Sequence, residues 1–185
     1  AILDNGKVKC WGQNNLGQLG IEDSTGRGTL KLQMGNLLPY VNLGTGRTAV
    51  KLSAGQYHAC AVLDAAASGS KIKCWGQNNY GQLGVGSNLN MGMSPGSMGD
   101  SLSTVNLGTG KVATSVGGGY DFSCALLTSG QVKCWGFGSS DTYGTLGLER
   151  GSVGDGPGEL AAQTAVNFGN TLSASFYATD IAANG

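Results

Sequence analysis

Five cysteines and one histidine are the residues of this 185-residue sequence whose types and spacing could do chemistry. Cys60 and Cys74 flank one turn, and Cys124 and Cys134 flank another, each with β-like segments on both sides. Residues that face each other across an antiparallel hairpin bring their Cβ atoms to about 4.5–5.5 Å, which is close to what a disulfide requires. We therefore expect two disulfides, one across each hairpin.

Reduced core cysteines or a zinc site are the alternative interpretation of these pairs. The pairs lack the C-x₂-C spacing that is typical of zinc clusters, and His58 is the only histidine. The position that matches His58 in the next copy of the surrounding sequence is Phe122, which favours packing or a structural hydrogen bond over catalysis. The sequence thus predicts no catalytic residue, no metal site and no cofactor.

Cys10 has the same Lys-Cys-Trp-Gly context as two of the other cysteines but has no partner upstream. Residues 1–4 match residues 61–64, which directly follow Cys60. We therefore expect Cys10 to be unpaired in this chain, with its partner before the first residue, and the chain to be an excerpt from a longer array. Because paired cysteines imply an oxidising compartment, we also expect an extracellular or cell-surface protein.

The cysteines belong to a repeated unit. The segment VKCWGQNNLGQLG at residues 8–20 recurs almost unchanged at residues 72–84, and a degraded copy covers residues 132–147. The tryptophans of the three copies are 64 and 60 residues apart. A period of this size is typical of solenoids, propellers and fibres, in which each unit buries its apolar face against its neighbours. Tryptophan is highly buried on average, so we expect Trp11, Trp75 and Trp135 in the core between blades.

Each unit has the pattern of four short strands joined by turns. In the second unit the expected strands are residues 49–55, 57–63, the Cys-Trp-Gly segment and residues 104–107. The sequence predicts an all-β fold of tandem propeller-like blades of about 60 residues, part of a larger propeller or of a fibre. The approximate units are 1–48, 49–112 and 113–177, with 178–185 starting another.

The composition excludes several partner classes. Lys plus Arg and Asp plus Glu both number 11, so the net charge is zero and gives no sign of nucleic-acid binding. The sequence contains no run of about 18 apolar residues, which is the length that a membrane-spanning helix requires. The expected partner is a protein, first of all another copy of this chain or flanking repeats.

The unit Cys-Ala-(Val/Leu)-Leu, turn, (Val/Ile)-Lys-Cys-Trp-Gly-Gln-Asn-Asn-(Leu/Tyr)-Gly-Gln-Leu-Gly resembles the repeat of the regulator of chromosome condensation family, in its Cys-containing secreted variant. The resemblance covers all three units and is weakest in the third. It implies a propeller, usually of about seven blades, which three units cannot close. Members of this family exchange nucleotides on a small GTPase, inhibit β-lactamases or serve as modules of surface proteins, and the nuclear GTPase role does not suit disulfide hairpins.

Two functions are consistent with these features. The first is a non-enzymatic extracellular repeat protein with a structural, adhesive or fibre-forming role through blade-to-blade packing. The second is a protein-binding or enzyme-inhibitor propeller that uses loops on one face, with Tyr80, Tyr120 and Tyr143 as possible anchors because aromatic residues dominate many interfaces. No Ser/His/Asp or paired-carboxylate pattern supports an enzyme.

Overall fold

The computed structural model describes residues 1–64, 71–138, 144–148, 151–171, 174–175 and 177–183. Tyr143 lies outside the described residues, so its predicted role in binding stays a prediction. Helix is scarce in the described part of the chain. It comprises the α-helix α1, Glu159–Ala162, and the 3-10 turns Lys31–Gln33, Gly35–Leu37 and Gly99–Ser101.

Two antiparallel sheets of three strands form the body of the fold. The first contains β1 (Ala49–Ala54), β2 (His58–Leu63) and β3 (Ile72–Gly76), in the order β1-β2-β3. Every residue of β2 and β3 is buried, which explains why these strands are rich in apolar and small residues rather than alternating with polar ones. The whole sheet lies within the predicted unit 49–112.

The second sheet repeats the first. It contains β4 (Ala113–Gly118), β5 (Phe122–Leu127) and β6 (Val132–Gly136), in the order β4-β5-β6. The register of the first strand pair shifts at matching places in both sheets, between Ala49 and Lys51 and between Ala113 and Ser115. The two remaining strands, β7 (Asn170–Thr171) and β8 (Ala174–Ser175), form a small hairpin. The all-β propeller-blade architecture predicted from the repeats is therefore correct.

The expected fourth strand of each unit is not part of a strand ladder. Each of these extended segments makes one backbone hydrogen bond to the Cys-Trp-Gly segment of its unit. The donors and acceptors are Val41 N to Val8 O at 2.9 Å, Val105 N to Ile72 O at 2.9 Å, and Val166 N to Val132 O at 2.8 Å. The asparagine that follows each valine then accepts from the backbone N–H two residues further on, as Asn106 does from Gly108. This local turn ends the extended segment before a ladder can form.

The strand expected at the start of a further unit is also absent, because the described residues 177–183 contain no strand. One backbone bond, from Ala178 N to Gly130 O at 2.9 Å, ties this segment to the β5–β6 turn. The first copy of the motif forms isolated bridges, Ile2 with Val8 and Gly12 with Arg27, rather than strands.

The two sheets contact each other through β1, β2 and β4, and Trp75 and Trp135 lie where neighbouring units meet. Trp75 and Trp135 are both completely buried, Trp75 beside Met98 and Leu102 and Trp135 beside Leu83 and Val105. Burying an aromatic side chain of this size is worth roughly 2–3 kcal/mol. These two contacts therefore hold successive blades together.

The prediction that Trp11 belongs to the core is wrong in this structure, because its side chain is 54% exposed. The indoles of Trp75 and Trp135 each donate to a backbone carbonyl of the preceding unit, Gln18 O at 3.2 Å and Gln82 O at 2.9 Å respectively. Trp11 stands in the first unit of the sequence and makes no such bond among the described residues. The motif around Trp11 matches those around Trp75 and Trp135. The turn that contacts each of those two tryptophans has no counterpart against Trp11 among the described residues.

Candidate functional site

Both predicted disulfides are present. Cys60 lies directly opposite Cys74 in the register of β2 and β3, with Cα atoms 4.1 Å apart. Cys124 lies opposite Cys134 in β5 and β6, with Cα atoms 4.0 Å apart. Each bond closes one hairpin within one blade, so the disulfides stabilise the blades individually and do not join them.

Cys10 is a free, half-buried thiol. Burial raises the pKa of Cys10 above its ordinary value, and the nearby amino terminus lowers it by a smaller amount. The thiolate is the reactive form, so Cys10 is less reactive toward small reagents than an exposed cysteine. The environment is not that of a catalytic nucleophile.

His58 is a structural residue at the contact between the two sheets. Its Nε2 lies 2.9 Å from Ser123 Oγ, and the Ser123 hydroxyl donates to Gln82 O at 3.0 Å. Because that hydroxyl proton is used, Nε2–H is the donor to Ser123, and Nδ1 has no hydrogen-bond partner among the described residues. Burial lowers the pKa of His58 to about 4, opposed by a smaller effect of the Phe122 backbone. The ring is neutral at pH 7, in agreement with the predicted packing and hydrogen-bonding role.

The Asn-Asn-x-Gly-Gln-Leu-Gly segment forms a turn that is stabilised by its own side chains. Asn78 Oδ1 accepts from Leu83 N at 2.9 Å, while its amide donates to Ser87 O at 2.6 Å. Gln82 Oε1 accepts from Tyr80 N at 2.9 Å. The side-chain amides thereby satisfy backbone groups that a turn leaves unpaired, and they fix the position of the exposed Tyr80.

The sequence analysis missed the function of the lysine that precedes each motif cysteine. The ammonium of Lys133 is buried and donates to Leu107 O, Leu160 O and Ala161 O at 2.9, 2.9 and 3.2 Å. Lys73 likewise donates to Leu43 O and Gly99 O at 3.1 and 2.6 Å. Desolvation lowers the pKa of both lysines. Each lysine anchors an irregular connection to the sheet, and its recurrence in all three copies was the available signal.

An aromatic cluster lies at one end of the two sheets. We give this name to Tyr80, Phe137 and Tyr120, which are 39%, 37% and 51% exposed. The rings of Tyr80 and Phe137 meet edge to face with centroids 5.0 Å apart. Phe137 N donates to Asp121 O at 2.8 Å, which places Phe137 beside the β4–β5 turn that carries Tyr120. The Tyr80–Phe137 pair therefore joins the loops of two successive blades, and Tyr120 lies in the turn that holds Phe137.

A buried polar contact supports the aromatic cluster from below. Gln82 Nε2 donates to Asp121 Oδ1 at 3.2 Å, and burial raises the pKa of Asp121. Gln82 itself is completely buried. The loops that present the aromatic rings are consequently held by the same side chain that organises the preceding turn.

The described residues contain no group of three or more His, Cys, Asp or Glu side chains that could hold a metal ion. Glu159, the first residue of α1, accepts hydrogen bonds from Gly154 N and Gly156 N at 3.0 and 2.9 Å. Among the helices that the structure describes, none is long and apolar enough to span a bilayer.

Comparison with known proteins finds a match to one repeat and two partly similar relatives. The family model of the regulator of chromosome condensation (RCC1) repeat matches residues 113–144, which contain β4, β5 and β6. Over 99 residues the chain is 35% identical to the human probable E3 ubiquitin-protein ligase HERC4, a match that covers 54% of this chain and 8% of that protein. It is 29% identical to the human probable E3 ubiquitin-protein ligase HERC6 over 153 residues, or 83% of this chain and 13% of that protein.

The fold is shared with a solved structure. The crystal structure of human WBSCR16 superposes with a TM-score of 0.56 at 22% identity, over 79% of this chain and 33% of that one. The chain thus spans a small part of the relatives that it matches. Residues 113–144 thus match a repeat of the regulator of chromosome condensation type, the Cys-Trp-Gly motif of that segment recurs at residues 8–20 and 72–84, and the fold is shared with WBSCR16.

Proposed function

We propose that this chain is a non-enzymatic protein-binding module that uses the aromatic cluster as its contact surface. The observation that carries the proposal is the exposed edge-to-face pair of Tyr80 and Phe137, which spans two blades. Aromatic side chains are enriched at protein interfaces and often account for most of the binding energy. The backbones that present them are fixed by hydrogen bonds, so little conformational entropy is lost on binding.

Two further features support a protein partner in an oxidising environment. The net charge of zero provides no basic surface for nucleic acid. The two disulfides are typical of secreted and surface proteins, so we place the module outside the cell or on its surface. The ligase relatives are much longer than this chain, and none of the described side-chain groups suggests catalysis, so we do not assign their activity to it.

Alanine variants of the cluster test this function. Tyr80→Ala and Phe137→Ala should each weaken binding by roughly tenfold or more, since loss of an aromatic anchor usually costs about 2 kcal/mol or more. Phe168→Ala is the matched control, because Phe168 is 51% exposed and lies outside the cluster. Binding would be measured by biolayer interferometry against a library of purified secreted proteins. A partner that is retained equally by all three variants would contradict the proposal.

Self-association is a second candidate function, supported by the exposure of Trp11. The equivalent tryptophans are covered by the turn of a preceding unit, which is the kind of surface that another copy of the chain also carries. A fibre or adhesive assembly could therefore form by repeated blade-to-blade contacts. Sedimentation velocity over a range of concentrations tests this, and a Trp11→Ser variant should remain monomeric where the parent chain associates. A parent chain that stays monomeric throughout would exclude it.

A further inference from the structure

The segment Asn-Leu-Gly-Thr-Gly occurs twice in the chain, at residues 42–46 and 106–110. The first glycine of each copy has a positive φ, +110° at Gly44 and +103° at Gly108. Its N–H donates to the side chain of the asparagine two residues before it, at 3.1 Å in both copies. The two turns therefore present the backbone N–H of the threonine that follows in the same way.

In the first copy the threonine binds a carboxylate. Thr45 N donates to Asp100 Oδ1 at 3.0 Å, and Thr45 Oγ1 donates to Asp100 Oδ2 at 2.6 Å. These hydrogen bonds, that of the hydroxyl foremost, lower the pKa of Asp100 below its ordinary value, so the turn favours the charged form. Asp100 belongs to the second unit, and the contact therefore crosses the boundary between two successive units.

The second copy lacks this acidic partner. The carbonyl before Asp100 accepts from Lys73 at 2.6 Å. The carbonyl before Ala161 accepts from Lys133 at 2.9 Å, so Ala161 takes the position of Asp100 and offers no carboxylate. Ala161 O also faces this turn, but it accepts from Lys133 at 3.2 Å. Thr109 is exposed, and neither its N–H nor its hydroxyl has a hydrogen-bond partner among the described residues.

The positive charge at the second copy has no acidic counterpart either. In the first copy Arg47 pairs with Asp64 at 2.9 Å. Lys111 takes the position of Arg47, and its ammonium donates to the neutral Gln131 Oε1 at 2.8 Å. Desolvation lowers the pKa of Lys133, and the charge of Lys111 lowers it further. The two ammonium groups therefore repel each other, and a negatively charged ligand would relieve this repulsion.

A groove of about 490 Å³ runs beside the second turn. It is lined by Lys71, Ile72, residues 103–108 and Lys111. Lys111 also lines a second groove, of about 590 Å³, together with Lys133. No aspartate or glutamate is among the described residues that line either groove. The surface around the second turn therefore has the room and the charge for an acidic segment, and its groups come from the second and third units, just as the first and second units complete the first copy.

We propose that Thr109 and Lys111 form a binding site for the carboxylate of an acidic side chain in a protein partner. The N–H and hydroxyl of Thr109 donate to the carboxylate, as those of Thr45 do to Asp100. Lys111 supplies positive charge, and the adjacent groove holds the residues that flank the acid. This inference rests on the proposed function in so far as the partner is a protein, but it does not involve the aromatic cluster.

The test is an NMR titration of the ¹⁵N-labelled 185-residue chain with the peptide acetyl-Gly-Asp-Ser-amide, which copies residues 99–101. The Thr109 amide proton should move downfield and saturate, because it gains a charge-assisted hydrogen bond. The isosteric peptide acetyl-Gly-Asn-Ser-amide should bind about tenfold more weakly, because its amide carries no charge. The Thr45 amide is the internal control and should not move, since it already binds Asp100. A Thr109 amide that stays in place, or equal responses to the two peptides, would overturn the proposal.

Exchanging the acidic residue between the copies gives a reciprocal test. Ala161→Asp should move the Thr109 amide downfield without any peptide and abolish its response to the peptide. Asp100→Ala should make the Thr45 amide respond to the peptide as Thr109 does in the parent chain. An unchanged titration of Thr109 in Ala161→Asp, or a Thr45 amide that stays silent in Asp100→Ala, would overturn the match between the two copies on which the site is based.

Lysine variants test the contribution of charge without disturbing a buried contact. Lys111→Gln should weaken binding of the aspartate peptide about threefold, the size expected for one exposed charge. Lys51→Gln is the matched control, because Lys51 is also exposed and lies on β1. Equal binding by both variants would overturn the role of Lys111.

Inorganic phosphate, compared with the peptide at matched ionic strength, tests the choice of ligand. Phosphate should move the Thr109 amide less than the aspartate peptide does, and a larger response would overturn the assignment to a carboxylate. The variants of the aromatic cluster are read by loss of a partner, whereas this site is read at the Thr109 amide, so either proposal can fail without the other.

Discussion

At the scale of single residues, His58 makes the stability of the fold depend on pH. Its pKa is about 4 in the folded protein and 6.5 when unperturbed. The unfolded state therefore binds the proton first, and the folded state loses stability as the pH falls from 6.5 toward 4. A difference of this size corresponds to about 3 kcal/mol, present in full above pH 6.5.

His58→Phe should flatten this part of the pH profile, because phenylalanine does not titrate and already occupies the equivalent position as Phe122. Urea unfolding at a series of pH values between 4 and 7.5 would measure the difference between the parent chain and the variant. If both lose the same free energy of unfolding over that range, the acid sensitivity comes from other groups.

The buried lysines also stabilise the fold as single residues, through the hydrogen bonds that they donate. Lys133→Met keeps most of the side-chain volume and removes the donor to three carbonyls. Leaving buried acceptors unsatisfied should lower the free energy of unfolding by about 1–3 kcal/mol. Lys51→Met is the control, since Lys51 is exposed on β1. Chemical denaturation of the two variants should separate them clearly, and equal stabilities would mean that Lys133 is not an anchor.

At the scale of the elements, the disulfides dominate the stability of each hairpin. They close loops with sequence separations of 14 and 10 residues, and each should contribute about 3 kcal/mol in the chain-entropy model. Replacing Cys124 and Cys134 together by serine should lower the midpoint of thermal unfolding, whereas Cys10→Ser should leave it almost unchanged. Differential scanning calorimetry provides the comparison, and similar losses from both changes would contradict this assignment.

The hairpins were predictable because their cysteines, turns and apolar segments recur at matching positions, so local pattern and register agree. The fourth strands were not, since Asn42 and Asn106 end them with side-chain hydrogen bonds that the alternating pattern does not reveal. The predicted burial of Trp11 was wrong for a different reason. Its burial depends on a neighbouring surface, and a motif specifies a side chain but not what covers it.

The aromatic cluster illustrates the same limit at the candidate site. Tyr80 and Tyr120 were named from the sequence as possible partner-binding residues, and both are exposed. Phe137 was not singled out, because it is the residue at which the third copy departs from the motif. Only the fold shows that this departure brings an aromatic ring of the third unit into contact with Tyr80.

At the scale of the whole molecule, glycine allows the blades to approach each other. Gly84 has a φ of +67°, and a Cβ atom there would lie 2.7 Å from Trp135 Nε1. Gly84→Ala should therefore combine backbone strain with overpacking and lower the free energy of unfolding by roughly 2–4 kcal/mol.

Gly46→Ala is the matched control, because Gly46 has a φ of +69° with nothing within 4 Å of the added atom. It should show only the backbone strain, about 1 kcal/mol. The two variants would be compared by guanidinium unfolding, with tryptophan fluorescence as a probe of the contact between blades. Equal losses in both would mean that this close approach contributes nothing to blade packing.

The confinement of each disulfide to one hairpin affects how the chain would respond to mechanical force. Tension applied at the two ends would act first on the tryptophan, histidine and glycine contacts between blades, which are not covalent. The loops enclosed by the two disulfides would stay closed and could not extend. At about 3.4 Å per residue, these loops contain roughly 80 Å of contour length. A reducing agent would allow these loops to extend, so the chain would reach a greater length at the same force without any change in its sequence.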